Sequence, residues 1–215
     1  MDMLFMGDGA DGTSMTVLAS TTNAAELKTV VKPALDKLIS AAGGGTGMAT
    51  DYANTDELDP DIFLWLLYKD AHERELSPEM KLSEIGRMSS RNGPIWRSSF
   101  SKGASIYRAD ILALIAKGNS VFGPAKFSVS YSGKPEGFFE IVLNENLSFS
   151  VIRTSEYDDE VLSALPEPEV GPRMVEDVWE ILIPAIRLAH SSDKDWHLEK
   201  RTVFINECRE AVHKL

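Results

Sequence analysis

The sequence predicts an α+β fold: a three-stranded antiparallel β-meander over about residues 126–153, packed against several helices, with a C-terminal helical hairpin. The first observation is a period of two, because apolar Phe127, Val129 and Tyr131 alternate with polar residues, and successive strand side chains point to opposite faces. The second is that amphipathic segments flank this stretch on both sides. Since an antiparallel sheet with one polar face needs an apolar layer on the other, we expect the helices to cover the meander.

The other two strands of the meander follow from the same reasoning. The middle strand is predicted at Phe138–Leu143, a run that is apolar enough to be central, and the third at Leu147–Val151, where apolar residues alternate with serine. Ser132–Gly137 and Asn144–Asn146 are predicted as the connecting turns, because glycine, proline, asparagine and serine tolerate turn dihedrals. Alternation and turn residues together therefore define the three strands.

Residues 1–50 are predicted to form an N-terminal leader and a tethered amphipathic helix, and residues 51–215 a single α+β domain. Residues 1–20 are rich in glycine, aspartate, serine and threonine, and we expect them to be partly disordered. An apolar stripe at helical spacing runs through residues 23–40, and Pro33 should kink this helix because it removes an internal hydrogen bond. We expect that a partner could cover the stripe, or a second copy of the chain, which would produce a homo-oligomer.

Three helices are predicted between the leader and the meander. Asp59-Pro60, an aspartate cap followed by proline at the first helical position, starts a mostly buried helix. Ser77-Pro78 repeats this pattern and is predicted to start a shorter helix. A third helix, capped by a serine and ended by a glycine, is predicted over residues 105–117. The shorter helix would bury three apolar residues, Leu82, Ile85 and Met88.

Two further helices are predicted after the meander, and they form the C-terminal hairpin. Gly171-Pro172 opens the first, whose first turn carries the acidic residues that the helix dipole favours. Pro184 should bend this helix, and the second is predicted to start near Asp193 or Asp195. The acidic, proline-containing residues 156–169 are predicted to be a linker or a solvated loop.

The composition is that of an ordinary globular protein with a sizeable core, since 43% of the 215 residues are hydrophobic and 26% are charged. No apolar run approaches the ~20 residues that a membrane helix needs, so we predict no membrane contact. The single cysteine, Cys208, cannot form an internal disulfide. We therefore predict a cytoplasmic protein, because a reducing compartment keeps thiols free.

The charge of the chain is strongly uneven along its length. Residues 87–135 hold eight basic residues and one acidic residue, which gives this stretch a net charge of +7. Since the whole chain carries −11, the remainder carries −18. A charge-segregated domain without a catalytic set is typical of an interaction module, whose complementary fields select partners. We predict a non-enzymatic intracellular adaptor that binds a protein partner.

The alternative prediction is a nucleic-acid-binding regulator that uses residues 82–108. Leu82–Gly86 resembles the first helix of a helix-turn-helix, and the following residues would form a second helix that projects basic side chains. Gly93-Pro94 stands against this prediction, because it lies where the second helix should begin. The residues predicted to contact nucleic acid or an acidic partner are Arg87, Arg91, Trp96, Arg97, Lys102 and Arg108.

A metal-dependent enzyme is the third prediction in order of preference, and it rests on a few residues near the C-terminus. His190, Asp193 and His197 lie close together at a predicted helix-to-helix turn, and such side chains can hold a metal ion. Capping residues at a turn have the same appearance, so we predict helix caps here and no metal site. We find no catalytic set in the sequence and predict no cofactor.

Overall fold

The computed structural model describes residues 3–8, 14–19, 25, 27–41, 58–92, 96–101 and 108–214. The strands in this part of the chain are β1 (Met3–Asp8), β2 (Ser14–Ala19), β3 (Glu75–Ser77), β4 (Met80–Asn92), β5 (Trp96–Ser101), β6 (Val121–Tyr131), β7 (Gly137–Leu143), β8 (Phe149–Val151) and β9 (Glu156–Tyr157). The α-helices are α1 (Lys32–Ala41), α2 (Asp61–His72), α3 (Ala109–Lys117), α4 (Glu160–Ser163), α5 (Glu167–Asp177), α6 (Ile183–Ser192) and α7 (Arg201–Val212). Three π-helical turns adjoin them: Leu27–Val31, Val178–Leu182 and Trp196–Lys200.

The chain divides into two compact units, Met1–Thr55 and Asp56–Leu215, and the first contains an antiparallel hairpin. β1 and β2 pair along their whole length, beginning with Met3 opposite Ala19. Residues 1–20, which we expected to be partly disordered, thus contain two paired strands. Every strand of a hairpin gains its hydrogen bonds from its neighbour, so the two segments order each other.

Proline coincides in two places with a change from a π-helical turn to an α-helix. The helix predicted within residues 23–40 consists of the turn Leu27–Val31 followed by α1, and Pro33 is the second residue of α1. The C-terminal segment repeats the pattern, with the turn Val178–Leu182 before Pro184. A proline has no amide hydrogen and its ring crowds the preceding turn, and a widened turn accommodates both effects.

The second unit is built around one antiparallel sheet, in the order β3-β4-β6-β7-β8. β5 pairs with β4, and β9 pairs with β7 beyond the end of β8. The predicted meander is confirmed as β6, β7 and β8. The alternating apolar residues Phe127, Val129, Phe139, Ile141 and Leu143 of β6 and β7 are buried, whereas Phe149 and Val151 of β8 are half-buried. The sheet is larger than predicted, because the segment that begins after Ser77-Pro78 adds a long strand rather than a helix.

The helix predicted to bury Leu82, Ile85 and Met88 is wrong, and β-bulges explain why. These residues are three positions apart, a spacing that brings side chains to one face of a helix. In β4 the pairing with β6 shifts between Leu82 and Glu84, between Ile85 and Arg87, and again after Met88. The first two shifts each place one extra residue in β4, so a spacing of three keeps all three apolar side chains buried on one face.

The hydrophobic core lies between the sheet and the helices. α2 is apolar almost all round and is buried accordingly, as a helix in the middle of a core should be. Its fully or nearly fully buried residues are Ile62, Phe63, Leu64, Trp65, Leu66 and Leu67. The sheet contributes the alternate residues of its inner face, including Phe127, Val129, Phe139, Ile141 and Leu143. The sheet and α2 thereby form the two sides of one continuous core.

The C-terminal helical pair is present as predicted, with an earlier start. α5 begins at Glu167 rather than near Gly171, with Pro168 in its first turn, where a proline costs no hydrogen bond. From there the chain stays helical through α6 to Ser192 and returns as the third π-helical turn and α7. Asp193 caps the C-terminal end of α6, where the first half of the helical hairpin ends.

A buried carboxylate links the edge of the sheet to α5. The Tyr157 hydroxyl on β9 donates a hydrogen bond to Asp177 Oδ2 at 2.7 Å, and Asp177 is only 2% exposed. Arg173 Nε donates to the same oxygen at 3.0 Å, and its guanidinium also lies 2.8 Å from Asp177 Oδ1. Burial, followed by the hydrogen bond to Asp177, raises the pKa of Tyr157 well above its ordinary value. The hydroxyl therefore stays a donor at neutral pH, which a buried carboxylate requires.

Replacing Asp177 by alanine should lower the free energy of unfolding by about 3 kcal/mol, because it leaves Tyr157 and Arg173 without their acceptor. Tyr157→Phe should cost about 1.5 kcal/mol, since the carboxylate keeps Arg173. Urea unfolding of both variants measures the difference. If Tyr157→Phe were the more damaging substitution, Asp177 would not be the centre of this link.

Candidate functional site

Two buried tryptophans and two aspartates connect α2 to the C-terminal hairpin in a reciprocal arrangement. Trp65 Nε1 on α2 donates to Asp193 Oδ2 at 3.0 Å, and Trp196 Nε1 on the hairpin donates to Asp61 Oδ2 at 2.8 Å. Both indoles are fully buried. Arg201 Nε donates to the other oxygen of Asp61 at 2.8 Å. Each element thus supplies one indole and one carboxylate to the other.

Lys69 lies in the same cluster, although a lysine is seldom buried. It is 7% exposed, with Nζ 3.4 Å from Asp193 Oδ2 and 3.5 Å from Glu73 Oε2. Its ammonium also lies 5.6 Å from the centre of the Trp65 ring. Burial alone would raise the pKa of Asp193, but hydrogen bonds from Trp65 and the Trp196 amide, with the charge of Lys69, lower it overall. This carboxylate is therefore ionised at neutral pH.

His190 and His197, two of the three metal-ligand candidates, lie side by side with ring centres 4.9 Å apart. His190 is buried edge-on against Trp65, whereas His197 Nε2 donates to the His190 carbonyl oxygen at 3.0 Å. His190 Nε2 is buried and has no hydrogen-bond partner among the described residues. Burial, with the neighbouring His197, lowers the pKa of His190 against the opposing effect of Asp59 and two other aspartates.

The third candidate, Asp193, is occupied by other partners. Its two oxygens accept from the Trp65 indole and from the Trp196 amide at 3.1 Å. Within the described ranges, no group of three His, Cys, Asp or Glu side chains is arranged to hold a metal ion. The structure brings His190, Asp193 and His197 together as a polar cluster, in which His190 is buried, Asp193 half-buried and His197 exposed.

Sequence reasoning missed several members of this cluster, among them Asp61, Trp65 and Lys69. Lys69 left a detectable signal, because it is a charged residue in a helix whose neighbours are apolar almost all round. Asp61 left none, since an acidic residue in the first turn of a helix already has a local explanation. Trp65 lies in the helix that is predicted to be mostly buried, but nothing local shows that its N–H meets Asp193.

The basic segment does not form a helix-turn-helix. β4 and β5 form an antiparallel hairpin instead, in which Arg91 lies opposite Arg97 and Asn92 opposite Trp96. The structure thus brings Arg87, Arg91, Trp96 and Arg97 into one hairpin, and leaves Arg108 at the start of α3. Of Trp96 and Arg97 only the backbone is described, and Lys102 lies outside the described residues.

Several cations of the basic stretch, residues 87–135, have partners within the protein. Arg91 pairs with Glu145 from the turn after β7, and Arg87 Nε donates to the Ser99 hydroxyl at 3.0 Å. Lys126 Nζ lies 2.9 Å from Glu140 Oε1. Arg108 is bound to Asp110 at 2.8 Å through its guanidinium. The positive charge counted along the sequence is therefore partly neutralised in the fold.

The edge of the sheet formed by β8 and β9, opposite the β4–β5 hairpin, carries unpaired negative charge. β8 and β9 lie one after the other along the outer side of β7, and no described strand pairs with their other side. The backbone of Glu136 accepts from the Asp158 amide at 3.0 Å, which places the two turns together. Apart from Asp159, whose carboxylate caps α4, four exposed carboxylates in this region have no ion-pair partner among the described residues: Glu136, Glu156, Asp158 and Glu160. We call β8, β9 and these four residues the acidic edge.

No helix in the part of the chain that the structure describes is long and apolar enough to cross a membrane. Comparison of the chain with protein-family models, curated proteins and solved structures found no match. Functional inference therefore depends on the geometry of the chain itself.

Asp193→Ala should lower the free energy of unfolding by about 3–5 kcal/mol, because it leaves the Trp65 indole without its acceptor and the buried Lys69 ammonium with only the exposed Glu73. Lys69→Met should cost about 1 kcal/mol or less, since Asp193 keeps its other donors and the methionine is apolar. Glu73→Ala is the matched control and should be nearly neutral, because Glu73 is 54% exposed. Urea unfolding tests this order, and equal losses in all three variants would contradict it.

Stability should fall as the pH drops below the ordinary histidine pKa of 6.5, towards the lower pKa of folded His190. In this window the unfolded chain binds a proton that the buried imidazole does not, so folding is favoured by raising the pH. Removing the titrating group with His190→Gln should flatten the slope. The exposed His213→Gln is the control and should retain it. Urea unfolding midpoints of the original protein and both variants, measured at neutral pH and at about pH 5.5, give the change in stability with pH.

Proposed function

We propose that the protein is a non-enzymatic interaction module, and that it binds a basic segment of a protein partner along the acidic edge. The observation that carries this proposal is the coincidence of an unpaired strand edge with unpaired carboxylates. An open edge presents backbone N–H and C=O groups that an added strand can use. The carboxylates of Glu156 and Asp158 would favour a partner strand with lysine or arginine side chains.

The distribution of charge supports an acidic rather than a basic binding surface. The cations Arg91 and Lys126 pair with carboxylates of the protein itself. In contrast, the four carboxylates of the acidic edge have no cation as a partner among the described residues. The net charge of −11 acts in the same direction, because it accelerates encounter with positively charged partners. An intracellular adaptor of this kind needs no catalytic group.

Nucleic-acid binding through residues 82–108 stays a prediction, and its structural basis changes. The hairpin of β4 and β5 would replace the helix-turn-helix, since strand pairs can also enter a groove. The pairing of Arg91 with Glu145 weakens this alternative, because a cation that contacts a phosphate must first leave its own carboxylate. Homo-oligomerisation through residues 23–40 likewise stays a prediction.

A synthetic strand of alternating lysine and valine tests the proposed function, with a glutamate–valine strand as its matched negative. The basic peptide should bind, with affinity that falls as salt is added, and should shift the backbone amide NMR signals of β8 and β9. Charge reversal at Glu136→Lys, Glu156→Lys and Asp158→Lys should weaken binding by about tenfold or more. Fluorescence anisotropy measures the affinities.

The control for charge reversal is a second triple variant, Glu75→Lys, Glu199→Lys and Glu210→Lys, whose three residues are also exposed. It changes the net charge equally but leaves the acidic edge intact, so it should bind the basic peptide nearly as well as the original protein. Equal weakening in both triple variants would show that only net charge matters. Binding of duplex DNA in place of the peptide would favour the nucleic-acid alternative.

A further inference from the structure

A groove of about 480 Å³ lies where the start of α2 meets α6. Its lining combines an apolar wall with charges of both signs. Leu58, Ile62 and Leu188 contribute apolar surface, and Leu188 is one of the few large apolar residues that remain exposed. The polar lining includes Asp59, Arg187 and His190. This groove is distinct from the acidic edge, which lies along the sheet.

His190 supplies the observation that points to a ligand. It is 97% buried, it lines the groove, and its Nε2 has no hydrogen-bond partner among the described residues. Leaving a buried polar atom unpaired is costly, and native structures seldom do so without a reason. A ligand with a hydrogen-bonding group would satisfy this nitrogen.

The charged residues narrow the class of ligand. Asp59 is exposed, and one of its oxygens accepts the Asp61 amide at 2.9 Å, which leaves the carboxylate held at the rim of the groove. Arg187 brings a guanidinium to the same lining, and a guanidinium matches the geometry of a carboxylate. A carboxylate, a guanidinium and a neutral imidazole together suit a ligand that carries both an ammonium and a carboxylate group.

We propose that this groove binds a free amino acid with an aliphatic side chain. The ammonium group would contact Asp59, the carboxylate would contact Arg187 and His190, and the aliphatic chain would lie against Leu58, Ile62 and Leu188. The groove has room for such a ligand, since its volume of about 480 Å³ lies within the roughly 300 to 1,000 Å³ that ligand pockets span. Opposite charges in the lining balance each other, so a simple anion or cation gains less than a zwitterion.

Titration with L-leucine tests the proposal against two analogues that each lack one charge, 4-methylpentanoate and 3-methylbutylamine. Leucine should shift the imidazole NMR signals of His190 and raise the thermal unfolding midpoint, because ligand binding to the native state stabilises it. Each analogue should bind about tenfold more weakly or worse. No shift at His190 at millimolar leucine would overturn the proposal, and so would equal binding of an analogue.

Two charge-neutralising variants and two controls complete the test. Asp59→Asn should weaken leucine but leave 4-methylpentanoate unchanged, whereas Arg187→Gln should weaken leucine but leave 3-methylbutylamine unchanged. The controls Glu210→Gln and Lys194→Gln neutralise exposed charges outside the groove and should bind leucine as the original protein does. If both groove variants bound leucine normally, the ligand would not be held by its charges and the proposal would fail.

Discussion

The reciprocal bonding of two indoles and two carboxylates is the constraint on which the helical layer depends. A buried indole N–H without an acceptor is costly, and neither tryptophan bonds to the carboxylate of its own element. Trp65 finds Asp193, and Trp196 finds Asp61. The two elements can therefore satisfy their polar atoms only in one mutual position. Nonpolar packing drives them together, and these bonds select the arrangement.

The same arrangement accounts for the other polar groups in the core. The Asp193 carboxylate, which accepts a hydrogen bond from Trp65, is charged and needs further donors. Lys69 and the Trp196 amide supply them. His190 lies on α6 and packs edge-on against Trp65. A buried lysine is tolerable here because its partner is ionised and close. Burial, charge and hydrogen bonding are thus linked through one carboxylate.

The sheet distributes charge in a way that the linear sequence conceals. Arg91 reaches Glu145 across the sheet, and Lys126 lies beside Glu140 on the neighbouring strand. Glu145 and Glu140 come from the part of the chain that is strongly negative overall. Positive and negative residues that are separated along the sequence are therefore partly paired in the folded protein. The carboxylates left over lie beside β9, at a strand edge. Charged residues at an edge also discourage unspecific strand pairing, which leaves room for a partner of opposite charge.

Local pattern alone determined the meander, the helix after Asp59-Pro60 and the C-terminal helical pair, because periodicity, caps and turn residues act within a few positions of the chain. Only the tertiary structure decided that β4 is a strand, since the spacing of Leu82, Ile85 and Met88 suits a helix and a bulged strand equally. It also decided the polar cluster. Trp65 and Asp193 are 128 positions apart, and Trp196 and Asp61 are 135 apart, so no local pattern records that they meet.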